Sequence, residues 1–319
     1  MAEVVLGVGV SHSPQMTVPW DKWELLLKKD ENDERLGYPA LLEKADPGLV
    51  SQVKPDVWKE KYEATQAGIR KLGKMLQQAD LDAIVIFGDD QHEQFDDGNM
   101  PAMAIFHGEN FSLRRRRDTA TLAPWWAIEE EHWEDTKDQY PNQPQLAKHL
   151  ISSLTDQEFE VTRCSELRPD VGIGHAFSFL YRRMWPDCNV PIVPIMVNTY
   201  YPPNQLTPNR CYGLGQAVRQ AVERWDGGKR VAVMASGGLS HIIMDEPLDR
   251  EFIDGMLKKD RQKICAVPRP KLKGGTSEIL NWVAVAGACE HLEPTLISYQ
   301  PGYRSPAATG CGMGCAYWN

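Results

Sequence analysis

Three groups of side chains able to do acid–base or metal chemistry each follow directly on a short apolar run. Ser11-His12-Ser13-Pro14 follows Val4–Val10, Gly88-Asp89-Asp90-Gln91-His92-Glu93 follows Ala83–Phe87, and Ser236-Gly237-Gly238-Leu239-Ser240-His241 follows Val231–Ala235. Imidazole suits iron, zinc, copper or nickel, and its titration near neutral pH equally suits proton transfer. The stretch Asp89–Glu93 offers four potential metal ligands in five residues, although an acidic turn opening a helix would read the same way. The two glycines before His241 permit a tight turn and close backbone approach to a ligand. His175 stands between Gly174 and Ala176, small neighbours that would admit a substrate. Glu278 falls at the start of an apolar helix, where the helix dipole alone favours a carboxylate.

The elements that must position these groups follow from hydrophobic periodicity. Unalternating β-branched runs read as strands buried on both faces, the signature of a helix-covered sheet, and such sheets bind ligands beyond the carboxyl ends of their strands. The expected fold is therefore α/β: one domain over 1–319, a central mostly parallel or mixed sheet covered by helices on both faces, and an active site at the C-terminal edge of the strands. Three histidine-bearing loops would converge there, as at a metal centre. Short helices are expected within the charged segment from Trp20 to Val57. Lys59–Gln78, Gln145–Leu154, Cys211–Trp225 and Glu251–Lys263 read as helices, and a further one, capped by Thr276 or Ser277, runs through Trp282 to about Cys289. Met103–Phe106, Phe159–Cys164 and Ile192–Val197 read as strands, the last stopped by Tyr200-Tyr201-Pro202-Pro203. Thr119–Pro144, with Trp125, Trp126 and Trp133, reads as a surface excursion or lid rather than core. The Gly-rich tail around Cys311 and Cys315 is given no element.

Composition bounds the function. The 319 residues are 42% hydrophobic and 25% charged, ordinary for a globular chain, and the net charge of −9 argues against a nucleic-acid partner. Arg114–Arg117 interrupts the acidity, as a solvated loop or as a receiver for an acidic aromatic substrate. Seven cysteines without a CxxC pair form no disulfide framework and imply a reducing, cytoplasmic setting. No signal peptide is expected, and no run reaches the roughly 20 apolar residues a membrane helix needs. Gly7-Val8-Gly9 lacks the third glycine of a dinucleotide fingerprint, and Ser236–His241 does not fit a serine nucleophile elbow.

Ser-His-Ser-Pro at 11–14, Gly-His-Ala-Phe at 174–177, Ser-Gly-Gly-Leu-Ser-His at 236–241 and Gly-Thr-Ser-Glu at 275–278 occur in an order that resembles the class III extradiol ring-cleaving dioxygenases, the superfamily of the protocatechuate 4,5-dioxygenase catalytic subunit. Gly-Asp-Asp-Gln-His-Glu-Gln-Phe-Asp-Asp at 88–97, Tyr-Pro-Pro-Asn-Gln at 201–205 and Gly-Thr-Ser-Glu-Ile-Leu-Asn-Trp at 275–282 look closest to its 3-O-methylgallate branch. The resemblance implies a non-haem Fe(II) enzyme that opens a catechol- or gallate-type ring, 3-O-methylgallate among the candidates, and puts both atoms of O2 into the product. It implies His12 and Glu278 as iron ligands, His241 as the general base, and His175 as a second active-site histidine bonding substrate or oxygen. Where most of the superfamily has its second ligand histidine, the register here puts Gln91, which would ligate through its amide oxygen. His92, one residue on, or Glu93 would be the substitutes. A neutral amide ligand implies weak iron binding and loss of metal on purification. Trp125-Trp126 and segment 20–57 would cover the site in place of a separate lid subunit. The implied partners are a small aromatic diol and O2, with no nucleic acid or membrane; a homo-oligomer is compatible. The rival readings are a metal-dependent hydrolase and a non-catalytic binding protein on the same scaffold.

Overall fold

The computed structural model describes residues 1–114, 117–131, 137–225 and 227–319. Arg115, Arg116 and Trp133, singled out in the sequence, lie outside them. In chain order the strands are β1 (Glu3–Val10), β2 (Ala83–Asp89), β3 (Met103–Phe106), β4 (Asn110–Phe111), β5 (Tyr140–Pro141), β6 (Thr162–Cys164), β7 (Ile192–Val197), β8 (Arg230–Ser236), β9 (His241–Ile243), β10 (Pro294–Tyr303) and β11 (Thr309–Trp318). All but the small β4–β5 ribbon belong to one mixed sheet in the order β10-β11-β1-β8-β2-β7-β3-β6, with β9 added against the start of β11. Strands β1, β8, β2 and β7 run parallel as neighbours, so their carboxyl ends share one edge. That is the convergence the three apolar runs foretold.

Alternation along these strands divides the core into two layers. Val85 and Phe87 of β2 face one cluster with Val231, Val233 and Ala235 of β8; Ile84 and Ile86 face the other with Ala232 and Met234. A bulge between Val4 and Leu6 switches β1 from the first layer to the second, so Leu6, Val8 and Val10 stay buried on the side where the period would otherwise misplace them. The first layer is covered by the helices Pro144–Asp156, Pro208–Glu223, Glu246–Leu257 and Ile279–Ala288, the second by Trp23–Asn32, Pro55–Gln78 and His175–Phe179. Each fully buried aliphatic or aromatic side chain contributes about 1.5–3 kcal/mol to this arrangement. No helix among the described residues is long and apolar enough to cross a membrane.

The structure departs from the sequence expectations in five places, the first being Glu251–Lys263, where one helix ends at Leu257 and another, Arg261–Cys265, starts after a break. The Gly-rich tail is β11, paired antiparallel to β1 on one side and to the edge strand β10 on the other. Its glycines hide the strand from propensity but let the backbone pass close to its neighbours: a Cβ on Gly314 would stand 3.0 Å from Leu239 and 3.3 Å from Trp282. Of Phe159–Cys164 only Thr162–Cys164 is strand. Thr119–Pro144 is not wholly peripheral, since Ile128 and Tyr140 sit in the second layer. Thr276 and Ser277 cap nothing: Gly274–Glu278 is a 3-10 turn, the Ser277 hydroxyl donates to Gly274 O, and the helix starts at Ile279.

Candidate metal centre and cavity

His12 leaves β1 at the carboxyl edge with its ring buried, and its orientation is set by Ser236 at the end of β8. The Ser236 hydroxyl donates to Ala176 O at 2.6 Å, so its oxygen can only accept from His12 Nδ1, 3.0 Å away. The proton of a neutral His12 therefore rests on Nδ1, and the Nε2 lone pair is turned into the site. There it meets Glu278 Oε2 at 3.1 Å and Asp89 Oδ1 at 3.8 Å. Among the described residues neither His12 Nε2 nor Asp89 Oδ1 has a hydrogen-bond partner, although both atoms are buried. A cation placed among these atoms would satisfy His12 Nε2 and Asp89 Oδ1 together with Glu278 Oε2. His12, Asp89 and His175 also place one donor atom each within 4.8 Å of the others.

Glu278 is held from several sides. Gly238 N–H donates to Oε2 at 2.6 Å, while Gln91 Nε2, Tyr200 OH and His241 Nε2 lie 3.2 Å from Oε1. Its helix is tied to the loop after β8 by Asn281 Nδ2 to Ser236 O at 3.0 Å and Trp282 Nε1 to Gly237 O at 2.8 Å. Burial alone would raise the Glu278 carboxyl, but His241 and His12 hold it well below the ordinary range. Asp89, closing β2, goes the other way: burial and then the charge of Glu278 raise it.

His241 opens β9 in a slot between two glycines. A Cβ on either Gly238 or Gly275 would run into its ring. Its Nδ1 donates to Leu239 O at 2.9 Å, which leaves Nε2 as the atom turned toward Glu278 and the cavity. Burial opposes its protonation, yet Glu278 prevails and raises it. His175 starts a short helix, and Glu93 grips both its backbone N–H (2.8 Å) and its Nδ1 (2.9 Å). Burial again opposes the charge, but Glu93, with Asp89 and Glu278 behind it, pushes His175 up to about 10. The His12 and His175 rings meet edge-on at 4.7 Å.

Most of the residues singled out in the sequence thus come together: His12, Gln91, His175, His241 and Glu278 line one cavity of about 530 Å³. Gln91 turns Nε2 toward Glu278 Oε1 and donates with it to Asp89 Oδ2 at 3.0 Å; a half-turn of the amide would present its oxygen instead. His92 goes elsewhere. It adopts φ +59°, stacks on Tyr201 with ring centroids 4.0 Å apart, and pairs with Asp97 at 3.3 Å. Glu93 faces the site but is engaged by His175. Sequence reasoning missed Asp89 as a donor distinct from its acidic neighbours, and it read Tyr200 only as part of a strand stop. Burial, then Glu278, raise the Tyr200 phenol well above its ordinary value. The signal for Asp89 was its place as the last residue of a doubly buried strand.

The family model described as the catalytic LigB subunit of aromatic ring-opening dioxygenase matches residues 46–310. The chain belongs to that family. His12 and the first helices precede the matched stretch. Gallate dioxygenase of Pseudomonas putida is 30% identical over 178 residues, which cover 52% of this chain and 50% of that protein. Enzymes described as 2,3-dihydroxyphenylpropionate/2,3-dihydroxicinnamic acid 1,2-dioxygenase are similar over 169 residues, at 27% identity in Cupriavidus pinatubonensis and 32% in Cupriavidus necator, again covering 52% of this chain and 50% of theirs. The chain spans about half the length of the curated relatives it matches. An uncharacterized protein from Escherichia coli K12 superposes with a TM-score of 0.48 at 15% identity, covering 79% of this chain and 91% of that one.

Proposed function

We propose that this family member is an Fe(II)-dependent extradiol dioxygenase, a single catalytic domain that opens the ring of a catechol- or gallate-type acid with O2. The observation that carries the reading is the trio of facing acceptor atoms, His12 Nε2, Asp89 Oδ1 and Glu278 Oε2, buried beside His241 at the carboxyl edge of the sheet. One imidazole and carboxylate oxygens make a donor set open to iron as well as to zinc or manganese, and the motif resemblance is what favours iron. His12 and Glu278 would hold the metal, with the third place taken by the Gln91 amide oxygen or by Asp89, whose free oxygen favours it. The metal would supply Lewis acidity toward the diol and electron transfer toward O2.

The chain's own residues have separable tasks. His241, with Nδ1 committed to Leu239 O, is the group that would accept at Nε2 the proton of a substrate hydroxyl, once a bound cation offsets the Glu278 charge that otherwise holds a proton there. His175, fixed by Glu93, offers its other nitrogen toward the cavity as a hydrogen-bond donor to substrate or oxygen. Phe179, Trp126 and Tyr200 give the cavity aromatic walls that exclude water and accept a flat ring. The overall reaction adds O2 to the diol with no atom lost: one ring carbon–carbon bond beside the diol breaks, aromaticity goes with it, and both atoms of O2 enter the product.

Anaerobic protein loaded with Fe(II) and offered a panel of catechols and gallates tests the reading. Oxygen uptake with a yellow ring-opened product is expected. His241→Ala should retain the metal and lose turnover by at least about 10²-fold. No uptake across the panel, or oxygen-independent turnover with zinc, overturns it.

A further inference from the structure

The cavity that holds the candidate metal centre also has a cationic wall, and its residues are not equivalent. Arg114 and Arg117, the described part of the basic run, are both engaged by Glu130, at 2.6 Å from Nη2 and 2.6 Å from Nε respectively, and the Glu130 side chain is wholly buried. Arg117 N–H also donates to the same carboxylate, at 2.9 Å. Two guanidiniums share this one carboxylate, so both are anchored to it, with one positive charge left over between them. Lys29 differs. Its ammonium lies 4.5 Å from the ring centroid of Trp126, also on the cavity wall, and among the described residues it forms no ion pair.

Lys29 is not a loose surface lysine. Its helix, Trp23–Asn32, is pinned by Trp23 Nε1 to Val18 O at 3.0 Å and, at the next residue, by the buried pair Asp30–Arg304, with bonds of 2.6 and 2.9 Å. Burial lowers its affinity for a proton, the mark of an ammonium held away from water without a full counter-charge. Glu129 shares the wall, but its own carboxyl is raised, by burial first, which weakens its claim on the ammonium.

We infer that Lys29, backed by Trp126, is the specificity-determining residue that receives the carboxylate of an aromatic acid whose hydroxyls face His12, His241 and Glu278. The assignment rests on the proposal that this cavity takes an aromatic diol, and it lies outside the stretch matched by the family. An indole face beside the ammonium fits this task, since it orients the cation and stacks beside the ring that carries the anion.

Gallate and pyrogallol carry the same three hydroxyls with and without a carboxylate, and anaerobic binding titrations with the Fe(II)-loaded protein compare them directly. Wild type is expected to prefer gallate. Lys29→Gln should weaken gallate binding by about tenfold or more while pyrogallol stays within about twofold. Lys29→Arg should keep most of the preference. Equal binding of both ligands by wild type, unchanged gallate binding in Lys29→Gln, or a parallel loss for both ligands each overturns the assignment. Oxygen uptake separates the two proposals. Gallate selectivity that depends on Lys29 without ring opening sinks the dioxygenase reading alone; ring opening indifferent to Lys29 sinks this one alone.

Discussion

Ser236 touches no substrate, yet it decides what His12 can do. Its single proton goes to Ala176 O, so it must accept from His12 Nδ1, and Nε2 is left as a lone-pair donor. Ser236→Ala should therefore lower Fe(II) affinity by about 10- to 100-fold, the usual cost of losing a partner that orients a ligand; a metal titration with unchanged affinity would remove the serine from this role. His241 depends on an absence of atoms. With no side chain at Gly275 its ring fits the slot, and Gly275→Ala must push it aside. A displacement of about 1 Å costs roughly 10²-fold in turnover. The same variant should bind metal nearly as well as wild type, since His12 and Asp89 are untouched and Glu278 keeps its bond from Gly238 N–H, and steady-state kinetics beside a metal assay would expose the split.

At the scale of elements, one helix braces the loop that ends in His241. Asp249, on Glu246–Leu257, accepts from Ser240 N–H at 2.7 Å, from the Ser240 hydroxyl at 2.7 Å and from Tyr299 OH of β10 at 2.8 Å. Burial raises its carboxyl from 3.8 to about 6 despite those donors. The folded protein thus binds this proton more tightly than the unfolded chain. Its stabilising effect is complete below pH 4 and is lost as pH rises through 4 to 6, by about 3 kcal/mol. Asp249→Asn carries no such proton. The difference in denaturation free energy between variant and wild type should shift toward the variant by that order between pH 4 and 7, and a difference independent of pH would refute the argument.

For the whole molecule, the proposed metal centre would join loops after β1, β2 and β8 with a helix start more than two hundred residues from His12. A ligand that binds only the folded state stabilises it by about 2.7 kcal/mol at a hundredfold excess over Kd. Fe(II) under anaerobic conditions should then raise the melting temperature by roughly 5 °C, and a chelator should reverse the rise. A melting temperature indifferent to Fe(II) in wild type would count against a buried metal centre; the smaller shift expected of Ser236→Ala ties the effect to His12.

The sheet was legible because doubly buried strands announce themselves. Val4–Val10, Ala83–Phe87 and Val231–Ala235 carry no polar alternation, and each hands over to its polar cluster within a residue or two of the true strand end. That local rule placed His12, Gln91 and His241 on one edge, and the motif order joined His175 and Glu278 to them. β11 was not legible, because its glycines answer to the bulk of Trp282 and Leu239 across the core rather than to strand propensity. Neither was the division of labour among neighbours. Asp89 faces His12 while His92 turns to Tyr201, and Lys29 faces the cavity while Arg114 and Arg117 turn to Glu130. Side-chain type is written in the chain, but direction is set by what packs behind each residue, and only the folded molecule supplies that partner.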